Sequence, residues 1–137
     1  GIDGLSLTFA RGEDNSTAGS EADHEVMKAS YAYGPVTIGY MESDYNDAVA
    51  SGDQNTSSYN VAYTISDDLS ISYGSEELTF GASSATNVAA EFERIKVSYT
   101  TGGMTLTASQ ATGDNVSYST ATTEDREVWA LGASFAF

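Results

Sequence analysis

The sequence predicts an all-β chain, arranged as an antiparallel up-and-down meander of about eight strands. Apolar and polar residues alternate in eight segments, and no stretch shows a sustained 3.6-residue helical period. One Pro, 13 Gly and nine Tyr also favour strands over helices. No apolar run approaches the roughly 18 residues of a transmembrane helix. The predicted strands cover residues 5–11, 25–33, 36–43, 58–66, 69–75, 92–100, 104–111 and 126–137.

The connections between these segments alternate between short and long. The short ones have the residues that tight turns prefer: Gly34-Pro35, Ser66-Asp67-Asp68 and Thr101-Gly102-Gly103. The long ones are polar and cover residues 12–23, 44–56, 75–91 and 112–125. All long loops therefore lie at one end of the meander. This arrangement is typical of transmembrane barrels, which have short turns on one side of the membrane and long loops on the other.

Each predicted strand has one apolar face and one face of small polar residues. In segment 58–66, Tyr59, Val61 and Tyr63 alternate with Ser58 and Asn60. A soluble domain exposes many Lys and Glu side chains, which are nearly absent from these strands. The pattern therefore predicts a transmembrane β-barrel whose apolar face meets lipid and whose Ser, Thr, Ala and Gly face meets water. The alternative interpretation is a secreted, Ser/Thr-rich β-sandwich.

Aromatic residues occur near both ends of the apolar faces. The strand directions place one group towards the long loops and the other towards the short turns. Two aromatic girdles around an aliphatic band are what membrane interfaces select, because Tyr and Trp combine an apolar ring with a polar tip. The loop-end group is Tyr40, Tyr59, Tyr73 and Trp129, and the turn-end group is Tyr31, Tyr33, Tyr99, Phe135 and Phe137.

Four of the five basic residues fall on the face opposite the apolar residues. They are Lys28, Arg94, Lys96 and Arg126, and we expect them to line the pore; Arg11 shares the apolar face. A Lys or Arg at the bilayer midplane costs about 2–4 kcal/mol, which indicates which face meets lipid. Two interpretations of the four inward bases remain open: they select permeating ions, or they pair with carboxylates.

The 20 acidic residues give a net charge of −15 and concentrate in the long loops and at the adjoining strand ends. This charge makes a nucleic-acid partner very unfavourable. Glu25, Glu42, Glu93 and Glu127 share the lipid face at its loop end, where they either contact lipopolysaccharide through divalent cations or are simply solvated. The oxygen-rich loops lack the order of an EF-hand, so the sequence predicts no cofactor beyond weak Ca²⁺ or Mg²⁺ binding.

Nothing in the sequence indicates catalysis. Cysteine is absent, His24 is the single histidine, and no serine lies in a Gly-x-Ser-x-Gly turn. An outer-membrane lipid hydrolase is therefore the least favoured of the functions considered.

The C-terminal residues resemble a known signal. Gly132 followed by Phe135 and the final Phe137 resembles the β-signal of bacterial outer-membrane proteins, although Ala130 stands where that signal has a polar residue. The stretches "YNVAYTISDDLSISYGSEE" (59–77) and "VSYTTGGMTLTASQATGDN" (97–115) resemble C-terminal hairpins of general porins of Gram-negative alphaproteobacteria. The resemblance implies an outer-membrane location, insertion by the barrel-assembly machinery, and a water-filled homotrimeric channel for small hydrophilic solutes.

The small inward residues indicate a barrel of more than eight strands. An eight-stranded barrel is just wide enough to be filled by its own side chains, and Ser, Ala and Gly would leave it largely empty. We therefore expect residues 1–137 to be one β-barrel region, the C-terminal half of a barrel of about 16 strands. The predicted function is passive diffusion of ions and small solutes through a porin, without catalysis. The alternative is a complete eight-stranded barrel whose acidic loops act as an adhesin or receptor.

Overall fold

A computed structural model describes residues 2–17, 20–47, 52–81, 88–118 and 125–136. Within these residues no helix is long and apolar enough to cross a membrane. The chain forms eight β-strands: β1 (Leu5–Thr17), β2 (Ser20–Tyr33), β3 (Val36–Asn46), β4 (Gln54–Thr64), β5 (Leu69–Phe80), β6 (Ala90–Thr101), β7 (Met104–Asp114) and β8 (Arg126–Phe135).

All eight strands belong to one antiparallel sheet in the order of the chain, which confirms the predicted meander. Each strand from β2 to β7 pairs with the strand before it and the strand after it. The three short turns lie where the sequence predicts them. Gly34, Gly102 and Gly103 have φ angles of 56°, 54° and 80°, in the left-handed region that glycine adopts without steric strain.

The strands are longer at the loop end than the alternation of apolar residues predicts. The predicted loop 12–23 is wrong over most of its length, since Glu13 and Asp23 are a paired couple in the β1–β2 ladder. Likewise β3 continues to Asn46, β4 begins at Gln54, and β5 extends to Phe80. Alternation marks the part of each strand that has one apolar face, whereas backbone pairing continues into polar sequence beyond it. At the C-terminus β8 ends at Phe135, and Phe137 lies outside the described residues.

The sheet is open. Among the described residues, β1 pairs only with β2 and β8 pairs only with β7. The predicted closed barrel is therefore not formed by these eight strands alone. Both outer strands present an edge of unpaired backbone N–H and C=O groups.

The sheet has almost no interior. The only described hydrophobic residues that are buried are Ala22 and Ala90, and no described polar residue is buried. The accessible surface is 9379 Å², whereas a compact monomer of this mass exposes roughly 6,800 Å². No second layer covers either face of the described strands, so the two-sheet sandwich considered from the sequence is not what these residues form.

Candidate functional site

The pairing register brings most of the large apolar residues of the eight strands onto one face of the sheet, whereas Val26, Met41, Phe92 and Val128 lie on the other. The row of paired residues that starts at Leu5 continues through Tyr31, Ile38, Val61 and Tyr73 to Ile95. A one-residue slip at any seam would have sent the following strands to the other face. The resulting apolar band consists of Leu5, Leu7, Phe9, Met27, Ala29, Tyr31, Tyr33, Val36, Ile38, Tyr40, Tyr59, Val61, Tyr63, Leu69, Ile71, Tyr73, Ile95, Val97, Tyr99, Met104, Leu106, Ala108, Trp129, Leu131, Ala133 and Phe135.

The band is uncovered. Leu131 is 85% exposed, Trp129 is 72% exposed and Phe9 is 68% exposed. A soluble monomer rarely exposes a contiguous apolar patch of more than a few hundred Å². In water this face would have to be covered by another apolar phase or partner.

The two expected aromatic groups lie at the two ends of the band. At the loop end Tyr40 is paired with Tyr59, whose ring centre is 6.2 Å from that of Tyr73. At the turn end the rings of Tyr31 and Tyr33 stack with centres 6.4 Å apart. Tyr99 and Phe135 lie on the same face near the turns, at the ends of β6 and β8.

Three loop-end aromatics donate hydrogen bonds to carboxylates immediately beyond the band. The Tyr73 hydroxyl donates to Glu93 Oε1 at 2.6 Å, and the Tyr40 hydroxyl donates to Glu42 Oε2 at 3.0 Å. The indole N–H of Trp129 donates to Glu127 Oε1 at 2.9 Å. The polar tips of these aromatics therefore point towards the loops, and each holds a carboxylate at the edge of the band.

An acidic strip follows the band on the same face. It includes the four residues singled out from the sequence, and its members are Glu13, Asp23, Glu25, Glu42, Asp44, Glu77, Glu91, Glu93, Asp114 and Glu127. Arg11 lies at the start of the strip, and its guanidinium is 3.4 Å from a carboxylate oxygen of Asp23 and 3.4 Å from one of Glu25. All three side chains are about half exposed, and exposed pairs contribute little to stability.

The opposite face carries mainly small polar side chains. A depression of about 500 Å³ around Lys28 is lined mainly by Ser, Thr, Asn and Gly residues of β1 to β4, together with Ala29, Tyr40 and Met41. A second depression of about 490 Å³ includes Glu76 and Arg94. Both are lined by Ser58 and Asn60, so the two depressions adjoin across the middle of the sheet.

Lys28, Arg94, Lys96 and Arg126 all lie on this polar face, as their parity predicts. Lys28 is paired with Thr8 and Met41, and Lys96 with Ser72 and Ser109. Arg94 Nη2 donates a hydrogen bond of 3.3 Å to Ser109 Oγ. Arg126 Nη1 donates to the backbone oxygen of Asp125 at 3.0 Å.

The residues of the expected assembly signal fall into different positions. Gly132 faces the polar side beside Thr107, and a Cβ at this position would lie 2.9 Å from Thr107 Oγ1. Phe135 lies on the apolar face and is exposed. Gly132 therefore has a local packing role in addition to the role that the resemblance implies.

His24 and the acidic residues form no metal-binding arrangement among the described residues. The His24 ring nitrogen Nε2 lies 2.9 Å from Ser43 Oγ, and its ring meets Tyr45 edge-on with centres 6.3 Å apart. No three His, Cys, Asp or Glu side chains of the described ranges are grouped so that they could hold an ion. Part of the oxygen-rich segment 14–23 lies outside the described residues.

Sequence reasoning missed the aromatic–carboxylate pairs and the fit of Asn60 over Gly39. A Cβ on Gly39 would lie 2.8 Å from Asn60 Oδ1. The spacing of Tyr40 and Glu42, two residues apart on one face, is a signal that could have indicated one pair. Predicting the pair of Tyr73 and Glu93 requires the pairing register of β5 and β6, which the sequence pattern leaves open.

These features define a single-layer antiparallel meander with one lipophilic face and one hydrophilic face. The chain matches no protein-family model, none of the curated proteins and no solved structure.

Proposed function

We propose that this sheet is part of the wall of a transmembrane barrel in the outer membrane of a Gram-negative bacterium, and that the barrel is a porin. Ions and small hydrophilic solutes diffuse through its water-filled interior, and no catalytic step is involved. The observation that carries the proposal is the alignment of eight apolar strand faces into one uncovered band.

The inclination of the band supports this proposal. In β1 the apolar band begins, at its turn end, with Leu5. The row of paired residues that starts at Leu5 crosses the sheet and reaches Trp129 in β8. The turn-end limit in β8 is instead Phe135, six residues further along. With about 3.4 Å per residue and 4.8 Å between strands, this drift inclines the strands by about 30°. Strands of transmembrane barrels are tilted in the same way, by about 35–45°.

The strand lengths also suit a membrane. A tilted strand needs about 9–11 residues to cross a bilayer. The eight strands have between 10 and 14 residues. Their polar extensions lie at the loop end, where the strands would project from the bilayer surface.

The open edges favour a barrel larger than eight strands. A bilayer offers no hydrogen-bond partners to backbone groups, so a membrane-spanning sheet must be closed. The alternative of a complete eight-stranded barrel requires β1 to pair with β8, and among the described residues they are not paired. Further strands between β8 and β1 would close the sheet, as the expected barrel of about 16 strands does.

The small side chains of the polar face favour a water-filled channel over a barrel that is filled by its own side chains. Ser, Thr, Gly and Ala dominate this face, and hydroxyl and amide groups, among them those of Ser58 and Asn60, contribute to the lining of the depressions near Lys28 and Arg94. A wider barrel would hold water against this wall. By resemblance, the proposal extends to insertion by the barrel-assembly machinery, a homotrimer, and lipopolysaccharide as a neighbour of the acidic strip.

Conductance in planar lipid bilayers tests the proposal. The full-length protein, purified and folded in detergent, is expected to insert and produce stepwise increases in current at 1 M KCl, a concentration near which charge effects are largely screened, since the Debye length is about 3 Å. A heat-unfolded sample is the control. Folded protein that inserts into vesicles without producing open channels would instead favour the adhesin or receptor alternative.

A further inference from the structure

We infer that the channel prefers small anions over cations, although the chain has a net charge of −15. This inference rests on the proposed function. It follows from how the sheet distributes charge between its two faces and along its strands.

The sheet separates the two signs of charge by face. The strand carboxylates lie almost entirely on the apolar face, in the acidic strip beyond the band. On the polar face of the described strands, the carboxylates are Asp14 and Glu76, and the bases are Lys28, Arg94, Lys96 and Arg126. The net charge of the chain therefore describes its outer surface and loops, and the wall facing the water has the opposite sign.

The separation of positive from negative charge between the two faces is sharper at the level of the apolar band. Lys28 lies between Met27 and Ala29 of the band, and Lys96 lies between Ile95 and Val97. Arg94 lies one residue beyond Ile95, at the loop-end limit of the band. Asp14, Glu76 and Arg126 all lie further towards the loops. From the turn end of the band to one residue beyond its loop-end limit, the charged side chains of the described polar face are thus Lys28, Arg94 and Lys96, all cationic.

Lys28, Arg94 and Lys96 form no ion pair with the described carboxylates, although Glu76 borders the same depression as Arg94. Arg11, on the other face, forms ion pairs with Glu13, Asp23 and Glu25. Arg94 donates to a neutral hydroxyl, that of Ser109. Lys96 is flanked by Ser72 and Ser109 in the neighbouring strands. Of the two interpretations that the sequence leaves open, ion selection is therefore the one that these contacts favour.

Unpaired wall charges act strongly inside a narrow aqueous passage. Low-dielectric walls concentrate the field in the water and raise the local concentration of the counter-ion. The carboxylates of the acidic strip lie across the sheet from these cations, on the other face. The effect should weaken at high ionic strength, because the Debye length falls from about 30 Å at 0.01 M to about 3 Å at 1 M salt.

The reversal potential of the full-length protein in planar bilayers tests this inference. Under a tenfold KCl gradient at low salt, the wild type is expected to favour chloride over potassium by about two- to fivefold, as a few wall charges at 5–10 Å imply. Arg94→Gln combined with Lys96→Gln should lower the ratio of chloride to potassium permeability to about one or below. Lys28→Gln, on a different strand, should lower it separately. Arg11→Gln is the matched control, because it removes one positive charge from the other face.

The outcomes distinguish this inference from the proposed function. Open channels that prefer potassium would overturn the anion preference, and so would an unchanged reversal potential in the Arg94→Gln, Lys96→Gln double variant. Neither result would contradict the proposal that the protein is a porin. A protein that inserts and forms no channel overturns both. A shift in reversal potential caused by Arg11→Gln as large as that caused by Lys28→Gln also overturns the inference, since the face would then not matter. Single-channel steps in each variant establish that it has folded.

Discussion

The hydroxyl of Tyr73 in β5 donates a 2.6 Å hydrogen bond to Glu93 Oε1 in β6, diagonally across the strand pair. The bond lies at the limit of the apolar band, with Ile95 on one side and the acidic strip on the other. It connects the aromatic girdle to the first row of carboxylates. The same connection recurs at Tyr40 and at Trp129.

Removing this hydroxyl should weaken the sheet at the loop-end limit of the apolar band. We expect Tyr73→Phe to lower the free energy of unfolding by about 1 kcal/mol, because Glu93 loses a donor while the ring remains. Urea unfolding of the protein in lipid vesicles measures the change. Tyr63→Phe is the control, since the Tyr63 hydroxyl has no hydrogen-bond partner among the described residues. Equal effects of the two substitutions would contradict a specific role for the bond.

An arginine placed on each face in turn tests which face meets lipid. Val61 and Ala62 are neighbours in β4 at mid-band, one on the apolar face and one on the polar face. We expect Val61→Arg to destabilise the inserted protein by about 2–4 kcal/mol and Ala62→Arg by much less. Unfolding in vesicles gives both values. A larger effect at Ala62 would reverse the assignment of the faces.

Because the chain contains no cysteine, single cysteines report water access cleanly. In proteoliposomes, a membrane-impermeant maleimide is expected to label cysteines at Ser72 and Thr107, which face the polar side. Cysteines at Ile71 and Leu106, which face the apolar side, should react slowly because a thiolate does not form in hydrocarbon. Labelling after unfolding in urea gives the total amount of reactive cysteine in each variant. Labelling rates that do not alternate between neighbouring positions would argue against a lipid-facing band.

Gly132 should be required for local packing independently of any assembly signal. We expect Gly132→Ala to destabilise the refolded protein by about 1 kcal/mol, since its Cβ would crowd Thr107 Oγ1. Refolding into detergent without assembly factors isolates this effect. Thr107→Ala removes the crowded atom and should restore most of the lost stability in the double variant. If it restores none, the crowding is not the cause.

The sequence was sufficient to predict the eight strands, their order and the side on which each residue lies. These features follow from a two-residue period and from tight turns such as Gly34-Pro35, both of which are local. The faces of Leu5, Val61 and Leu131 could therefore be predicted without any knowledge of the pairing register.

The ends of the strands and the closure of the sheet could not be predicted in the same way. Asp23 and Asn46 pair in the β2–β3 ladder although neither is a favourable strand residue, because the hairpin continues beyond the apolar band. The bond between Tyr73 and Glu93 depends on the register of two strands separated by a long connection. Pairing of β1 and β8 depends on groups at opposite ends of the chain, about which a local pattern carries no information.

Among the described residues, the seams between strands join neighbours along the chain, from β1–β2 through β7–β8. Each strand is thus connected to its partner by a single turn or loop, which limits the loop-closure entropy of each folding step. The wall can therefore grow hairpin by hairpin, each new strand using the last one as its template. Duplication or loss of one hairpin would alter the circumference while leaving the remaining seams as they are.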